Sequence, residues 1–147
     1  MARPNPSHVD AYNTLCCYTL AHGDPAFIHQ HAVDAFTAQH ADETTKPIGL
    51  TFALVGLHLH VDRGFSGRQV QRAHMILAKE KRTWPAFVLP RDRGRMTVVD
   101  VMRFAEGPER DEAIDRWCEA VWEAFRENRA SVVDLLRQYG VGDLTRS

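Results

Sequence analysis

Six of this chain's eight histidines fall between His22 and His60, its most apolar and most helical stretch. Each residue of an α-helix turns by about 100°. On that rule His31 projects near Phe27, Ile28 and Ala35, inside an apolar arc, with Asp34 in reach at i+3. His58 falls between two apolar faces of the next helical segment, with Asp62 at i+4, and His74 flanks Val70 and Leu77 on a third. Three helices would thus each offer one inward imidazole, two of them with a carboxylate one turn away.

Neutral imidazole is a ligand for Zn, Ni, Mn and Fe, and a bundle core can gather side chains from facing helices. One reading is therefore a divalent-metal protein of hydrolase or thiol-transferase type. His31, Asp34, His58 and His74 would hold the ion, and Asp62 and Gln39 would orient the ligands. The metal would activate water or a thiol. His31 and His58 should then bring ring nitrogens to a common point. The competing reading makes the same imidazoles hydrogen-bonded core residues; no HExxH motif is present. His29 and His60 point to other faces and read as surface or interface residues. His22 and His40 end helices, where a positive ring suits the dipole.

The cysteines Cys16, Cys17 and Cys118 are odd in number and form no CxxC, which argues against a disulfide framework or a zinc ribbon. Cys16 lies on an inward stripe, Cys17 flanks it, and Cys118 reads as core; no clustered Lys or Arg would activate the vicinal pair. No P-loop, GxGxxG or GxSxG occurs.

The elements that must position these groups are helical. Helices are expected from Ser7 to about Ala21, from Asp24-Pro25 to about His40, from Pro47 to about Arg63, from the Ser66 cap to about Lys81, and from Gly107-Pro108 to about Tyr139, with a short segment capped by Thr97. The third is apolar on two faces (Ile48, Phe52, Val55, Leu59; and Leu50, Leu54, Leu57, Val61), the mark of a central helix. Residues 84–97 are irregular, and Phe87–Val101 could instead form a small hairpin. The fold class is all-α: one domain over 1–147, a bundle of four to five helices.

Net charge is −1, so no overall field favours nucleic acid or a membrane. Residues 63–95 nevertheless carry nine Arg and Lys against two acids, and residues 106–127 carry eight acids against three Arg. Two surfaces that attract each other are the simplest account. A non-enzymatic binding module, using the basic segment to contact an acidic partner or nucleic acid, is the alternative function. The two greasy faces of the third helix suggest a homodimer. No stretch matches a bilayer span, and Met1 to Pro6 is too short and polar for a signal peptide, so a cytoplasmic location is expected. The sequence names no small-molecule substrate.

Several stretches carry a family likeness: Cys17-Tyr18-Thr19-Leu20-Ala21-His22, Asp24-Pro25-Ala26, His31-Ala32-Val33-Asp34-Ala35 with Gln39-His40, Leu54 to Leu59, and Trp117-Cys118 with Val121-Trp122. On these the chain resembles an uncharacterised bacterial family of small helical proteins, a domain-of-unknown-function family. Its His-x-x-Asp and Gln-His positions map to His31, Asp34, Gln39 and His40. The resemblance implies kinship and no chemistry. The chain is more loosely similar to the DinB-like bundles, four-helix metal proteins with three histidines. That likeness implies a helical bundle with a possible metal. DinB-like proteins place two histidines at i, i+4 on one helix, and no such pair occurs on a predicted helix here.

Overall fold

The computed structural model describes residues 6–79 and 83–141. Seven α-helices follow in order: α1 Pro6–Ala21, α2 His29–Gln39, α3 Pro47–Arg63, α4 Gly67–Ala78, α5 Val98–Val101, α6 Pro108–Ala124 and α7 Arg129–Gln138, with a 3-10 turn Arg126–Asn128 between the last two. No strand occurs among the described residues, so the segment around Phe87 forms no hairpin there. None of the described helices is long and apolar enough to cross a membrane.

The all-round apolar helix is central, as its pattern predicts. α3 packs against α2, α4, α6 and α7, and Leu54, Val55, Leu57 and Leu59 are buried on both of its faces. Helices of the same chain pack on both faces, and Ile48 in the first turn stays exposed. The caps follow the sequence too. Ser66 and Gln69 make a reciprocal capping box ahead of α4, Thr97 and Asp100 make another ahead of α5, and Gly64 closes α3 in the left-handed region at φ 70°.

Two helices differ from expectation. α2 begins at His29 rather than at Asp24-Pro25. The Asp24 carboxylate accepts the N–H groups of Ala26 and Ile28, as a cap does, but Phe27 takes φ +61°, which no helix tolerates. The turn is held there by α4: the Arg68 N–H donates to the Ala26 carbonyl, and the Phe27 carbonyl occupies the space a side chain at Gly67 would need. The long final helix is also broken, at Phe125. Asn128 leaves the helical pattern to grip the irregular segment: its Oδ1 accepts from Val88 N at 2.7 Å, and its Nδ2 donates to Val88 O at 2.9 Å.

That irregular segment is fixed by two polar side chains, the buried Gln39 and the half-buried Arg93. Gln39 donates to the carbonyls of Arg93 and Met96 and accepts from Trp117 Nε1, satisfying its amide inside the core. Arg93 donates to the carbonyls of Pro90, Ala38, Gln39 and Ala41. The carbonyls at the end of α2, which no helix residue can satisfy, are thereby capped by a guanidinium.

Candidate functional site

The three histidines that the sequence suggested as partners lie in separate surroundings. His31 is buried, and its ring stacks face to face on His60, centroids 3.5 Å apart. His58 hydrogen-bonds Asp62 at 2.8 Å, and the same carboxylate oxygen accepts from Trp122 Nε1 and Arg129 Nε. His74 Nε2 lies 2.8 Å from the Phe52 carbonyl, and its ring stacks on the Phe52 ring. Gln39 belongs to the α2 cap described above. Among the described residues no group of three or more His, Cys, Asp or Glu is placed to hold a metal ion.

His60 rather than His58 meets His31, although the helical pattern turned it to another face as a surface or interface residue. His60 is fixed at both nitrogens, by the Phe65 carbonyl and by Asp115, each at 2.9 Å. Burial, and then the facing His60 ring, push the His31 imidazole down to about 3, so it is neutral at physiological pH. One turn on, Asp34 is buried against Gly56. Its Oδ1 accepts from Gln30 at 3.0 Å, and its Oδ2 has no partner. Burial raises this carboxyl well above the usual range, against the smaller opposing effect of Gln30. His31 and Asp34 thus form two adjacent layers of the α2–α3 crossing, and burial disfavours the charged form of each.

A different set of residues meets at an open cleft of about 440 Å³, lined by Thr14, Cys17, Tyr18, Ala21, His22, Glu106 and Arg110. Positions 14, 17, 18 and 21 share one face of α1 at helical spacing, and His22 follows directly after the helix. Glu106 lies just before α6 and Arg110 in its first turn. Cys118 is buried, as its pattern predicts, Cys16 is half-buried, and Cys17, which flanks the inward stripe of α1, is exposed. His22 Nε2 lies 3.3 Å from Asp111 Oδ2. The Tyr18 hydroxyl donates to the other Asp111 oxygen at 2.7 Å and accepts the Gly107 N–H at 2.9 Å. Burial and the Asp111 carboxylate raise the Tyr18 phenol, which keeps it a donor. Arg110 lies over the Tyr18 ring and donates to the Phe104 carbonyl.

The cleft therefore holds an accessible thiol, an imidazole and a carboxylate fixed in turn by a tyrosine. His22 Nδ1 has no hydrogen-bond partner among the described residues. A neutral imidazole carries one unprotonated ring nitrogen that can accept a proton, and a nearby carboxylate stabilises the protonated ring that results. Cys118 is a contrast: burial raises its thiol well above the usual range.

A family model matches residues 5–126. The chain belongs to DUF5946, a family of unknown function. No curated protein and no solved structure matches it. The DUF5946 match spans every residue of the α1–α6 cleft and of the His31–Asp34 layers, and it stops at the 3-10 turn, short of α7. The sequence reading passed over Tyr18, His22 and Asp111 as a group. The available signals were a histidine just after one helix and an acid in the first turn of another; nothing local says that those two helix ends meet.

Proposed function

We propose that this protein carries out thiol-dependent group transfer or hydrolysis on a small electrophilic substrate in the α1–α6 cleft. Cys17 is the nucleophile, His22 the proton acceptor and Asp111 the residue that orients His22. The cleft volume lies in the range of small-molecule sites, about 300–1,000 Å³. The proton of the Cys17 thiol passes to His22 Nδ1 as sulfur bonds to the electrophilic carbon. The leaving group departs with that proton, and water or an acceptor nucleophile then releases Cys17. The observation that carries the reading is the His22–Asp111 contact on the wall that also bears the exposed thiol.

The test is the rate of Cys17 alkylation by iodoacetamide at pH 7 in a Cys16→Ser background, followed by peptide mass spectrometry. His22→Gln should slow alkylation by about tenfold. A rate unchanged by His22→Gln rejects the proposal.

A second reading, a binding module, is favoured by one observation. Arg91 and Arg95 line a groove of about 810 Å³ against Ala120 and Ala124, and neither guanidinium has an ion-pair partner among the described residues. Glu123 and Glu127 line the same groove, so the basic and acidic segments do come together. Lys81 and Arg82 lie outside the described residues. A salt-sensitive association with an acidic peptide, abolished by Arg91→Ala with Arg95→Ala, would support this reading.

A further inference from the structure

The first two turns of α1 and the end of α2 are joined by four contacting rings. Tyr12 lies flat on Phe36, centroids 3.9 Å apart, and Phe36 leans on His40 at 4.4 Å. The His8 and His40 rings stand edge to face, centroids 5.5 Å apart. His8 and Tyr12 are one turn apart on α1, as are Phe36 and His40 at the end of α2, so the aromatic pair holds the imidazole pair in place. Both imidazoles are incompletely used. His8 Nδ1 and His40 Nε2 are each shielded from solvent and each lacks a hydrogen-bond partner. Shielded polar atoms are rarely left unpaired, and two on facing rings call for a common explanation.

We infer that His8 and His40 form a binding site for a borderline transition-metal ion such as Zn(II), completed by water. Two imidazoles on one tetrahedral ion, with nitrogens at about 2.0–2.1 Å, set their ring centroids about 5.2 Å apart. The observed 5.5 Å fits within a small adjustment, and ring planes may take any mutual angle about the metal–nitrogen bonds. Burial, the His8 ring and the Arg93 guanidinium lower the His40 imidazole to about 4, which leaves its lone pair free for a metal at neutral pH. The Arg93 guanidinium opposes a cation here, and its charge is spread over the carbonyls of Ala38, Gln39 and Ala41. Both residues are partly exposed as a whole, so water can reach the remaining positions. The site lies apart from the thiol cleft and does not depend on it.

The test titrates the untagged full chain with Zn(II), followed by calorimetry and by the imidazole resonances in NMR. One equivalent should shift the His8 and His40 ring signals and leave those of His58 and His74 in place. His8→Ala should weaken binding at least about tenfold, and its position in the first turns of α1 makes it the safer variant. His40→Ala should do the same, and His22→Gln should leave binding intact. Absence of ring shifts at one equivalent, or binding that survives His8→Ala, overturns the inference.

Discussion

The Asp34 carboxylate lies in a notch that Gly56 leaves in α3: a Cβ at Gly56 would overlap Asp34 Oδ2 and touch Val70. The glycine and the acid explain each other, since the α2–α3 crossing is close enough for a carboxyl only where α3 lacks a side chain. Gly56→Ala should therefore destabilise the fold. Overpacking costs about 1–3 kcal/mol, offset by about 1 kcal/mol of helix propensity. Asp34→Ser should relieve the clash, so the double variant is expected to be less destabilised than the two single changes predict. Urea denaturation of the four proteins measures the coupling; strict additivity would contradict the notch.

The same crossing sets opposing pH dependences. The Asp34 carboxyl is raised by burial, so its contribution to stability is complete below about 3.8 and is lost as pH rises toward its folded value. His31 is lowered from 6.5 to about 3. Its contribution is complete above 6.5 and is lost as pH falls through the interval down to about 3. At about 1.4 kcal/mol per unit, that loss is several kcal/mol. Asp34→Asn should accordingly gain on the native chain as pH rises above about 3.8, and His31→Gln should flatten the acid limb below pH 6.5. Chemical denaturation across pH 3–8 checks both; parallel curves for native and variant chains would refute the assignment.

The sequence made the all-helical class legible because α3 is apolar on every side and because Ser66, Gly64 and Thr97 act through local chemistry alone. It misplaced the start of α2 because the left-handed Phe27 is imposed by contact with Gly67 and Arg68, distant in sequence. It did not foresee the break at Phe125, where Asn128 serves the Val88 backbone rather than its own helix. The choice of His58 over His60 failed for a related reason. The two differ by about 200° around the helix, but α3 is covered on both sides, so the apolar pattern could not say which ring faces α2. The α1–α6 cleft was illegible because its bond from Tyr18 to Asp111 spans 93 residues.

The Arg93 cap gives a prediction about the irregular segment. Its shortest contacts are to Pro90 O at 2.6 Å and Ala41 O at 2.7 Å. Arg93→Ala removes the guanidinium bonds to the Ala38, Gln39 and Ala41 carbonyls, of which Ala38 O keeps the Ala41 N–H, and frees the loop. Hydrogen bonds from a charged donor are worth about 1.5–3 kcal/mol, and a loss of that size is expected. Trypsin should then cleave after Arg91 and Arg95 faster than in the native chain. Arg93→Lys should rescue only part of the loss, because an ammonium cannot span several carbonyls as the guanidinium fork does. Unchanged cleavage in Arg93→Ala would mean that Gln39 and Asn128 hold the segment by themselves.

Tyr18 links stability to the proposed thiol chemistry, and Tyr18→Phe separates the two. The substitution keeps the ring under Arg110 and removes one hydroxyl, which leaves the Gly107 N–H and one Asp111 oxygen without their partner. The expected cost is about 1–2 kcal/mol. If Asp111 orients His22, loosening Asp111 should also slow Cys17 alkylation at pH 7, by less than His22→Gln does, because His22 is still present. Asp111→Asn should slow it further than Tyr18→Phe, since an amide cannot favour the protonated imidazole. The rates are compared well below the denaturation midpoint of each variant, so that unfolding does not expose the thiol. A Tyr18→Phe protein that is less stable yet alkylates at the native rate would make Tyr18 a strut between α1 and α6 with no part in placing His22.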